Sequence, residues 1–506
     1  MSESIRFLLN GALTEVAAAP PQITLLEYLR EHAHLTGTKE GCAEGDCGAC
    51  TVILAEAKPD GALGYRPINA CIRLLPTVDG KAVYTVESLQ GEGGALHPVQ
   101  QAMVACHGSQ CGFCTPGFVM SLFGLYKNAH RPGRTAVQDA LSGNLCRCTG
   151  YRPILAAAET MYDLAAPSDW RGPGLAADGA RRIARDEELT ASHLAALARD
   201  GTFEYGHGGQ RFFAPTTIAE LARLVAANPQ ARILAGGTDI GLWVTKQRRD
   251  LPALIYVGEV RGLAAIRETA AAFEIGAAAT LADAFEALDT EWPELHEAWL
   301  RFASVPIRNS ATLGGNVANG SPIGDSMPAL IALAATIVLR HGEVAREMPL
   351  EDFYLAYRET AQMPGEFVAA IRVPKRPPGP AANTVLRAYK VSRRFDQDIS
   401  AVFVCFRLDL DGDRIVRARI GCGGVAATPR RAPATEAALA GQRWNEASAS
   451  AAATTLTEEF APITDMRATA DYRRAMLGAL LIRCWHETGA GGDANRPATR
   501  VDQVAA

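Results

Sequence analysis

Eight cysteines in the first 150 residues of this 506-residue chain fall into two groups whose spacing suggests metal binding. The first group is a C-x4-C-x2-C run followed, after a gap of twenty residues, by a fourth cysteine, and it comprises Cys42, Cys47, Cys50 and Cys71. This is the spacing of a plant-type [2Fe-2S] cluster. Four thiolates also suit a structural zinc ion, although zinc modules usually pair two C-x2-C knuckles. The first spacing therefore favours an iron-sulfur cluster.

The second group is a C-x2-C pair in SQCGFCTPGFVM and a C-x-C pair in SGNLCRCTGYRPI, and it comprises Cys111, Cys114, Cys146 and Cys148. Apolar residues recur at three and four positions around both pairs, which predicts a helical module. Thr115-Pro116 can begin one helix and Gly143-Asn144 can end another, so the thiols are expected at helix ends, where free N–H groups favour an anionic cluster. Spacing alone leaves zinc and a second [2Fe-2S] cluster open here.

Composition and charge exclude several classes of partner. The formal net charge is −5 with acids and bases mixed, so no basic tract indicates nucleic acid or an anionic membrane. The start, MSESIRFLLNGALTEV, alternates around an Asn-Gly turn and predicts a β-hairpin rather than a signal peptide. The most apolar helical stretch, residues 117–126, is too short to span a bilayer. We therefore expect a cytoplasmic protein with no membrane segment, in which clustered thiols bind metal.

The four cysteines outside the two groups are expected to be bystanders. Cys106 lies five residues before Cys111 and could be mistaken for a ligand, but both groups are already complete. A buried thiol is the better interpretation, as it is for the isolated cysteines in apolar patterns, Cys405, Cys422 and Cys484.

The elements that must position these residues predict a multidomain α+β chain. Alternating TVIL and PINACIRLL, with the helical TLLEYLREHA, indicate a small ferredoxin-like β-grasp sheet around the first cysteine group. Residues 166–204 are rich in Ala, Arg, Gly and Pro and read as a linker with one short helix. We place the domains at 1–86 (ferredoxin-like), 87–165 (helical bundle), 166–204 (linker), 205–380 and 381–495 (two α+β domains) and 496–506 (tail).

Two polar, glycine-rich runs in the domain 205–380 could bind a phosphate-bearing ligand. The first, ILAGGTDIG, follows a strand, and by itself a plain turn between strand and helix is the commoner explanation. The second, residues 302–330, offers Thr312, Asn316, Ser321 and Asp325 as directional hydrogen-bonding groups on a flexible backbone. Two such runs in one domain suit a dinucleotide better than chance turns.

The C-terminal domain 381–495 contains two further patterns. The sequence GCGGVA, residues 421–426, matches G-x-G-x-x-A, but prolines and arginines follow where a helix should begin, so we read it as a strand end. A basic cluster at Lys390, Arg393 and Arg394 is, from composition alone, most simply a solvated charged face.

The runs TKEGCAEGDCGACTV, GSQCGFCTPG and SGNLCRCTGYRPI together resemble the xanthine dehydrogenase family of molybdenum hydroxylases. The resemblance extends over nearly the whole chain and implies that both cysteine groups hold [2Fe-2S] clusters. It implies that the second cluster lies nearest a molybdenum cofactor and the first nearest a flavin. It also identifies residues 205–380 as an FAD-binding domain and 381–495 as the C-terminal flavoprotein domain.

The resemblance also implies a set of flavin and nicotinamide contacts. Residues expected at the FAD pyrophosphate are Ile233, Leu234, Ala235, Gly236, Gly237, Thr238, Asp239 and Ile240. Residues expected along the rest of the FAD are Thr312, Gly315, Asn316, Ser321 and Asp325, with Phe302, Tyr357 and Val368 near the flavin ring. The segment YKVSRRFDQDIS resembles a loop over the flavin that contributes to nicotinamide discrimination, which implies roles for Lys390, Arg393 and Arg394.

The function implied by the resemblance is electron transfer. Iron-sulfur clusters pass single electrons and NAD+ accepts a hydride, so a flavin is needed to convert between them. The family implies that no residue of this chain catalyses substrate hydroxylation, and that molybdopterin belongs to a larger partner subunit in an α2β2 assembly. The leading hypothesis is the small subunit of a xanthine dehydrogenase. The alternatives are the same subunit in another molybdenum hydroxylase, such as an aldehyde oxidoreductase that reduces oxygen or a quinone, and a non-enzymatic zinc-stabilised scaffold.

Overall fold

The computed structural model of the chain describes residues 4–58, 61–376, 383–489 and 499. It divides into two compact units, and each is described here by itself. The first unit comprises Met1–Arg261 and the returning segment Ala303–Ala311, and the second comprises Gly262–Phe302 and Thr312–Ala506. The predicted tail, residues 496–506, lies outside the described residues except for Thr499.

The first unit begins with a mixed five-stranded sheet of strand order β2-β1-β5-β3-β4. Its strands are β1 Ile5–Leu9, β2 Ala12–Val16, β3 Thr51–Ala57, β4 Leu63–Asn69 and β5 Ala82–Tyr84. The pair β1–β5 is parallel and the other neighbours are antiparallel, with the predicted hairpin turn at Asn10-Gly11. A short helix, α1 (Leu25–Glu27), continues into a π-helical turn at Tyr28–His32. The β-grasp prediction is confirmed.

One predicted strand is shorter than its alternating pattern indicated. PINACIRLL was expected to be extended throughout, but β4 ends at Asn69. The carbonyl oxygens of Ala70 and Arg73 accept hydrogen bonds from Leu26 N (3.0 Å) and Leu25 N (2.7 Å) at the start of α1. Because these backbone groups satisfy a helix terminus, the chain leaves the sheet and carries Cys71 into a turn.

The second cysteine group lies in a helical module, as predicted. Its helices are α2 Pro98–Ala105, α3 Thr115–Asn128, α4 Arg134–Ala140 and α5 Arg152–Thr160. Helix α3 begins at Thr115 with Pro116 in its first turn, where a missing N–H is tolerated. Phe118 and Phe123 of α3 share one hydrophobic core with Ile53 of β3. The helical module is therefore packed directly onto the β-grasp sheet.

The segment 166–204 crosses both cluster-binding modules and contains helix α6 (Arg185–Leu197). The buried ammonium of Lys127 in α3 donates to Trp170 O (2.7 Å) and to Glu187 Oε1 (3.0 Å). Glu187 also accepts from the Tyr65 hydroxyl of β4 at 2.6 Å. One buried charge pair thus ties the segment to the helical module and to the sheet.

The first unit ends with a four-stranded sheet of order β6-β7-β9-β8. Its strands are β6 Phe203–His207, β7 Gln210–Ala214, β8 Arg232–Leu234 and β9 Ala253–Tyr256, with helices α7 Ile218–Ala227 and α8 Ile240–Thr245. Thr217 caps α7 by accepting a hydrogen bond from Glu220 N. Leu234 and Leu254 of this sheet belong to the same buried cluster as Cys50 and Cys71. One continuous core therefore fixes this sheet relative to the first cysteine group.

The second unit contains two larger sheets and a hairpin. An antiparallel five-stranded sheet has the order β10-β11-β16-β12-β13, and a four-stranded sheet has the order β17-β18-β19-β20. The strands are β10 Ile266–Glu268, β11 Ala272–Gly276, β12 Thr336–His341, β13 Val344–Pro349, β14 Tyr354–Ala356, β15 Glu359–Thr360, β16 Phe367–Pro374, β17 Asn383–Val391, β18 Val402–Asp411, β19 Arg414–Gly423 and β20 Arg430–Arg431. Residues 421–423 of the G-x-G-x-x-A match end β19, as predicted.

The other helices of the described residues follow in chain order. They are α9 Leu281–Asp289, α10 His296–Leu300, α11 Val305–Arg308 in the returning segment of the first unit, α12 Leu313–Asn319, α13 Ser326–Ala332, α14 Leu350–Phe353, α15 Pro433–Leu439, α16 Glu446–Glu459 and α17 Ala470–Thr488. Short 3-10 turns occur at Leu75–Val78, Val86–Leu89, Glu92–Gly94 and Pro293–Leu295. No helix in the described part of the chain has the length and apolar character of a membrane span.

The bystander cysteines are only partly as expected. Cys405, Cys422 and Cys484 have no exposed surface and lie in the core of the second unit. Cys106 is half-buried rather than buried, because it sits at the end of α2, where its sulfur lies 3.5 Å from Thr160 Oγ1.

Candidate functional site

The four thiols of the first cysteine group lie close together beside the β-grasp sheet. Three belong to the loop 42–50, and Cys71 belongs to the turn after β4. The thiol of Cys42 is within hydrogen-bonding reach of those of Cys47 and Cys71, and Cys50 is within reach of Cys71. Backbone N–H groups of Asp46 and Cys47 point at the Cys42 sulfur at 3.4 and 3.3 Å. N–H groups directed at thiolate sulfur stabilise a negatively charged cluster.

The second group also brings its four thiols together. Cys111 pairs with Cys148, and Cys114 pairs with Cys146. Cys114 is the N-cap of α3, and the Cys148 N–H points at the Cys146 sulfur at 3.4 Å. Tyr151, at φ 68°, accepts a hydrogen bond from Cys146 N at 2.9 Å.

The arrangement of the thiols fits a [2Fe-2S] cluster in each group. Such a cluster needs two thiolates on each of two irons, whereas a zinc ion needs four ligands around one point. Each group supplies the four thiols that such a cluster requires; in the first, Cys42 contacts Cys47 and Cys71, and Cys50 contacts Cys71.

The two groups differ in exposure. In the first, Cys50 and Cys71 are buried and Cys42 and Cys47 are half-buried. In the second, Cys111 and Cys148 are exposed, and the side chain of the neighbouring Phe113 is 47% exposed. One edge of the second site is therefore open to water.

Hydrogen bonds from residues 144 and 145 join the loops of the two groups. Leu145, which precedes the ligand Cys146, donates its N–H to the carbonyl oxygen of Cys47 at 3.0 Å. Asn144 beside it is buried and bonds to Gly48 and Thr51 of the first loop. From the sequence, Asn144 was predicted only to end a helix. Its position two residues before the C-x-C pair was the available signal.

The predicted pyrophosphate segment, residues 233–240, runs from β8 into α8 in the first unit. Leu234 is buried, while Ile233 and Asp239 are exposed. Gly237 has φ +76°, and a Cβ there would lie 2.9 Å from the carbonyl oxygen of Ile72. Only glycine fits at this turn, because both its conformation and the space beside it exclude a side chain.

The same segment contacts the first cysteine loop. Ile72 follows the ligand Cys71, and its carbonyl lies against Gly237 and Gly241. Thr245 of α8 donates its hydroxyl to Ala43 O at 2.8 Å, and the Lys246 ammonium donates to Cys42 O. Residues after the glycine turn thus hold the loop that carries the first cluster ligands.

The remaining predicted flavin residues lie in the second unit, where several of them meet. Thr312 is the N-cap of α12 and accepts a hydrogen bond from Gly315 N at 3.0 Å. Asn316 accepts from the Ser326 hydroxyl at 2.5 Å, and the Ser321 hydroxyl accepts from Ile323 N at 3.5 Å. These contacts order the second polar, glycine-rich run.

Asp325 and Lys390, 65 residues apart in the sequence, form a buried ion pair. Lys390 Nζ lies 2.6 Å from Asp325 Oδ2, and the two side chains are only 4% and 3% exposed. Ser400 donates its hydroxyl to the other carboxylate oxygen at 2.6 Å. Lys390 is therefore not part of a solvated charged face, and the prediction made from composition alone was wrong for this residue.

The other predicted residues of the second unit are more peripheral. The Phe302 ring packs edge-on against Phe285 with 5.6 Å between the centroids. Val368 is 9% exposed on β16, whereas Tyr357 is 57% exposed in the β14–β15 turn. Arg393 donates to Met466 O at 2.5 Å, and Arg394 donates to Gln397 O at 2.7 Å. Both arginines are thus bonded within their own unit.

Four family descriptions match the chain in order. Residues 7–74 match the "2Fe-2S iron-sulfur cluster binding domain" and residues 85–159 the "[2Fe-2S] binding domain". Residues 204–376 match the "FAD binding domain in molybdopterin dehydrogenase" and residues 387–488 the "CO dehydrogenase flavoprotein C-terminal domain". These matches favour [2Fe-2S] clusters over zinc at both cysteine groups, and an FAD-binding domain after them.

Individual relatives match large parts of the chain. Xanthine dehydrogenase from Emericella nidulans is 34% identical over 88% of this chain, and aldehyde oxidase 1 from Bos taurus is 30% identical over 95%. The chain spans only 35% and 39% of the lengths of these two relatives. Reconstituted CO dehydrogenase from Oligotropha carboxidovorans is a solved structure with 31% identity and a TM-score of 0.50, matched over 53% of this chain and 94% of its own. The chain belongs to the molybdenum hydroxylase family, of which it carries the two iron-sulfur domains and the flavin-binding domains.

Proposed function

We propose that this chain is the electron-transfer subunit of a xanthine dehydrogenase. Electrons from hypoxanthine and xanthine oxidation to urate enter from a molybdopterin-binding partner subunit and leave on NAD+. When bound, the two [2Fe-2S] clusters supply one-electron transfer and FAD supplies the conversion to a two-electron product. The serial contact of the sites within the first unit is the observation that carries this proposal.

The contacts form a series from the second cysteine group, through the first, to the glycine turn at Gly237. At the open end, Cys111 and Cys148 are exposed, which suits the docking of an electron donor. The Leu145 N–H to Cys47 O hydrogen bond joins the second site to the first. At the buried end, Ile72 lies against the glycine turn at Gly237. This order supports the family expectation that the first cluster is nearer the flavin.

The residues of the chain bind, orient and shield rather than transfer protons. Backbone N–H groups at Cys42 stabilise negative charge on sulfur, and the shared core around Cys50 and Cys71 excludes water. In the second unit, the buried Lys390–Asp325 pair holds β17 against the start of α13. That pair keeps β17, from which the segment 392–398 continues, in a fixed position.

The substrate, the acceptor and the assembly are inferred from relatives. The chain spans 35% and 36% of the lengths of two xanthine dehydrogenases that it matches. We propose that a separate large subunit carries molybdopterin and forms an α2β2 assembly with this chain. The second candidate is the same role in an aldehyde-oxidising enzyme, favoured by the match to bovine aldehyde oxidase 1 over 95% of the chain.

The proposal is tested by purifying the chain under reducing conditions with its native partners. We expect about four iron, about four sulfide and about one FAD per chain, and no zinc. NADH formation is then measured with xanthine and, separately, with aldehydes. Faster NADH formation with xanthine supports the proposal, and a preference for aldehydes with oxygen as acceptor favours the second candidate. Zinc without flavin overturns both and leaves the scaffold hypothesis.

A further inference from the structure

We propose that Asn144 is a positioning residue that fixes the distance between the two iron-sulfur clusters and so sets the rate of electron transfer between them. The inference rests on the proposed function, because it assumes that both cysteine groups carry clusters. It concerns one buried side chain of the first unit that ligates no metal.

The two ligand loops touch through their backbones. Leu145 N–H donates to Cys47 O at 3.0 Å, so the ligands Cys47 and Cys146 are linked by covalent bonds and this one hydrogen bond. A Cβ on Gly48 would lie only 2.0 Å from the carbonyl oxygen of Gly143. We call this contact between residues 47–48 and 143–145 the junction. Any side chain at position 48 would prevent this contact.

Asn144 supplies the side-chain bonds that hold the junction together. It is 2% exposed. Its amide nitrogen donates to Gly48 O at 3.1 Å and to Thr51 Oγ1 at 3.3 Å, both on the first loop. Its amide oxygen accepts from the Ser121 hydroxyl of α3 at 2.6 Å. One side chain therefore connects the first cluster loop, β3 and the helix that begins at Cys114.

The chemistry of the amide suits this role. A buried amide that uses its donor and acceptor sides in opposite directions fixes three elements at once. Leaving any of these buried partners unpaired is unfavourable, so the junction has one preferred geometry. Aspartate has nearly the same shape but cannot donate to Gly48 O or Thr51 Oγ1. The variant Asn144→Asp therefore removes the donor side and adds a negative charge, while its shape is nearly unchanged.

Asn128, which is exposed, provides a control for the loss of amide donors between the same two modules. Its amide nitrogen donates to Tyr65 O and to Gly124 O, each at 2.8 Å. It thus also joins the helical module to the β-grasp sheet, but through the C-terminal end of α3, whereas the second cluster site lies at the other end. Asn128→Asp introduces the same charge and the same loss of donors without touching the junction.

The experiment compares the two variants with the native chain as holoprotein, in complex with its partner. Iron content and low-temperature EPR of the reduced protein report whether both clusters are present. Splitting of the EPR lines by the interaction of the two reduced clusters reports their separation. Rapid-freeze EPR after mixing with dithionite reports the rate at which they exchange electrons.

For Asn144→Asp we expect full iron content, both cluster signals, a clearly reduced splitting and about tenfold slower exchange, because small misplacements at a rigid junction strongly reduce rates. Asn128→Asp should match the native protein. Native splitting and rate in Asn144→Asp overturn the inference, and so does an equal change in both variants.

If Asn144→Asp loses iron, the variant Thr51→Val is used instead, because it removes one hydrogen-bond partner of Asn144 without adding a charge. Reduced splitting in Thr51→Val supports the inference, and native splitting overturns it. Absence of both cluster signals in the native protein would instead contradict the proposed function.

Discussion

The two cysteine groups have the same ligands in opposite surroundings. Cys50 and Cys71 of the first group are part of a hydrophobic core that also includes strands of the second sheet of the first unit. Cys111 and Cys148 of the second group are exposed at helix ends and loops. The first site is thus more enclosed by the fold, whereas the second is open on one edge. This open edge is where the proposed partner subunit is expected to dock.

The largest expected difference comes from removing one ligand at each site. Cys50→Ala should abolish the first cluster and also lower the Tm of the first unit by at least about 5 °C, because ligation and core packing contribute there together. Cys148→Ala should abolish only the second cluster and lower the Tm less, because Cys148 is exposed and its loss removes ligation without core packing. Iron analysis and thermal unfolding measure both effects. Equal losses of Tm would contradict the asymmetry between the two sites.

A second test compares two glycines with positive φ, one in each cysteine loop. Gly48 has φ +71° and lies against Gly143 O, whereas Gly112 has φ +83° and open space around it. Gly48→Ala should destabilise the first unit by about 3–5 kcal/mol, since strain and overpacking add. Gly112→Ala should cost only the conformational strain of about 1–2 kcal/mol. Urea unfolding measures both, and similar values would show that the junction tolerates a side chain.

The parts of the site that could be predicted from the sequence are those encoded locally. All eight cysteines, the hairpin at Asn10-Gly11 and the start of α3 at Thr115-Pro116 follow from spacing and turn chemistry within a few residues. The flavin segment around Gly237 was indicated by its glycines and by family resemblance.

What could not be predicted depends on contacts between distant parts of the chain. The end of β4 at Asn69 is set by α1, more than forty residues earlier, which takes the backbone carbonyls. Lys390 looked like part of a charged surface because its partner Asp325 lies in another sequence motif. Asn144 was predicted only to end a helix, because its hydrogen-bond partners, Gly48 and Thr51, are far from it in the sequence. Secondary-structure propensity depends on residues nearby in the sequence, so it cannot reveal such pairings.

A third test uses His97, which caps α2 in the helical module. Its ring accepts from Val99 N through Nδ1, lies 2.8 Å from Arg171 O through Nε2, and packs edge-on against Phe123 and Tyr126. Burial, with smaller contributions from the nearby Arg171 and Lys127 cations, lowers the pKa of His97 from 6.5 to about 4, while the hydrogen bond to Arg171 O and, less strongly, Asp169 oppose the shift. His32 and His34 of the β-grasp module are exposed. Acid should therefore affect the helical module first.

The sign follows from the two pKa values. The unfolded state binds a proton below pH 6.5, but the folded state binds it only below about 4, so stability is complete above pH 6.5 and falls between 6.5 and 4. The loss is at most about 3 kcal/mol. His97→Asn keeps an acceptor for Val99 N and should reduce the loss, whereas His130→Asn should not. Urea unfolding at pH 7.5 and pH 5, followed through the second cluster's EPR signal, measures it, and an unchanged loss in His97→Asn would assign it to other groups.

The smallest expected effect concerns access of solutes to the bound iron. In the chain without its partner, an iron chelator should remove the second cluster about tenfold faster than the first, a difference of about 1.4 kcal/mol in protection. The reason is that Cys111 and Cys148 are exposed while every ligand of the first site is at least half-buried. Stopped-flow absorbance with EPR of each cluster separates the two phases. Adding the molybdopterin-binding partner should slow the faster phase alone, because only the open edge of the second site is available to be covered. If the partner protects the first cluster instead, the donor docks elsewhere and the order of the two clusters in the electron path must be reversed.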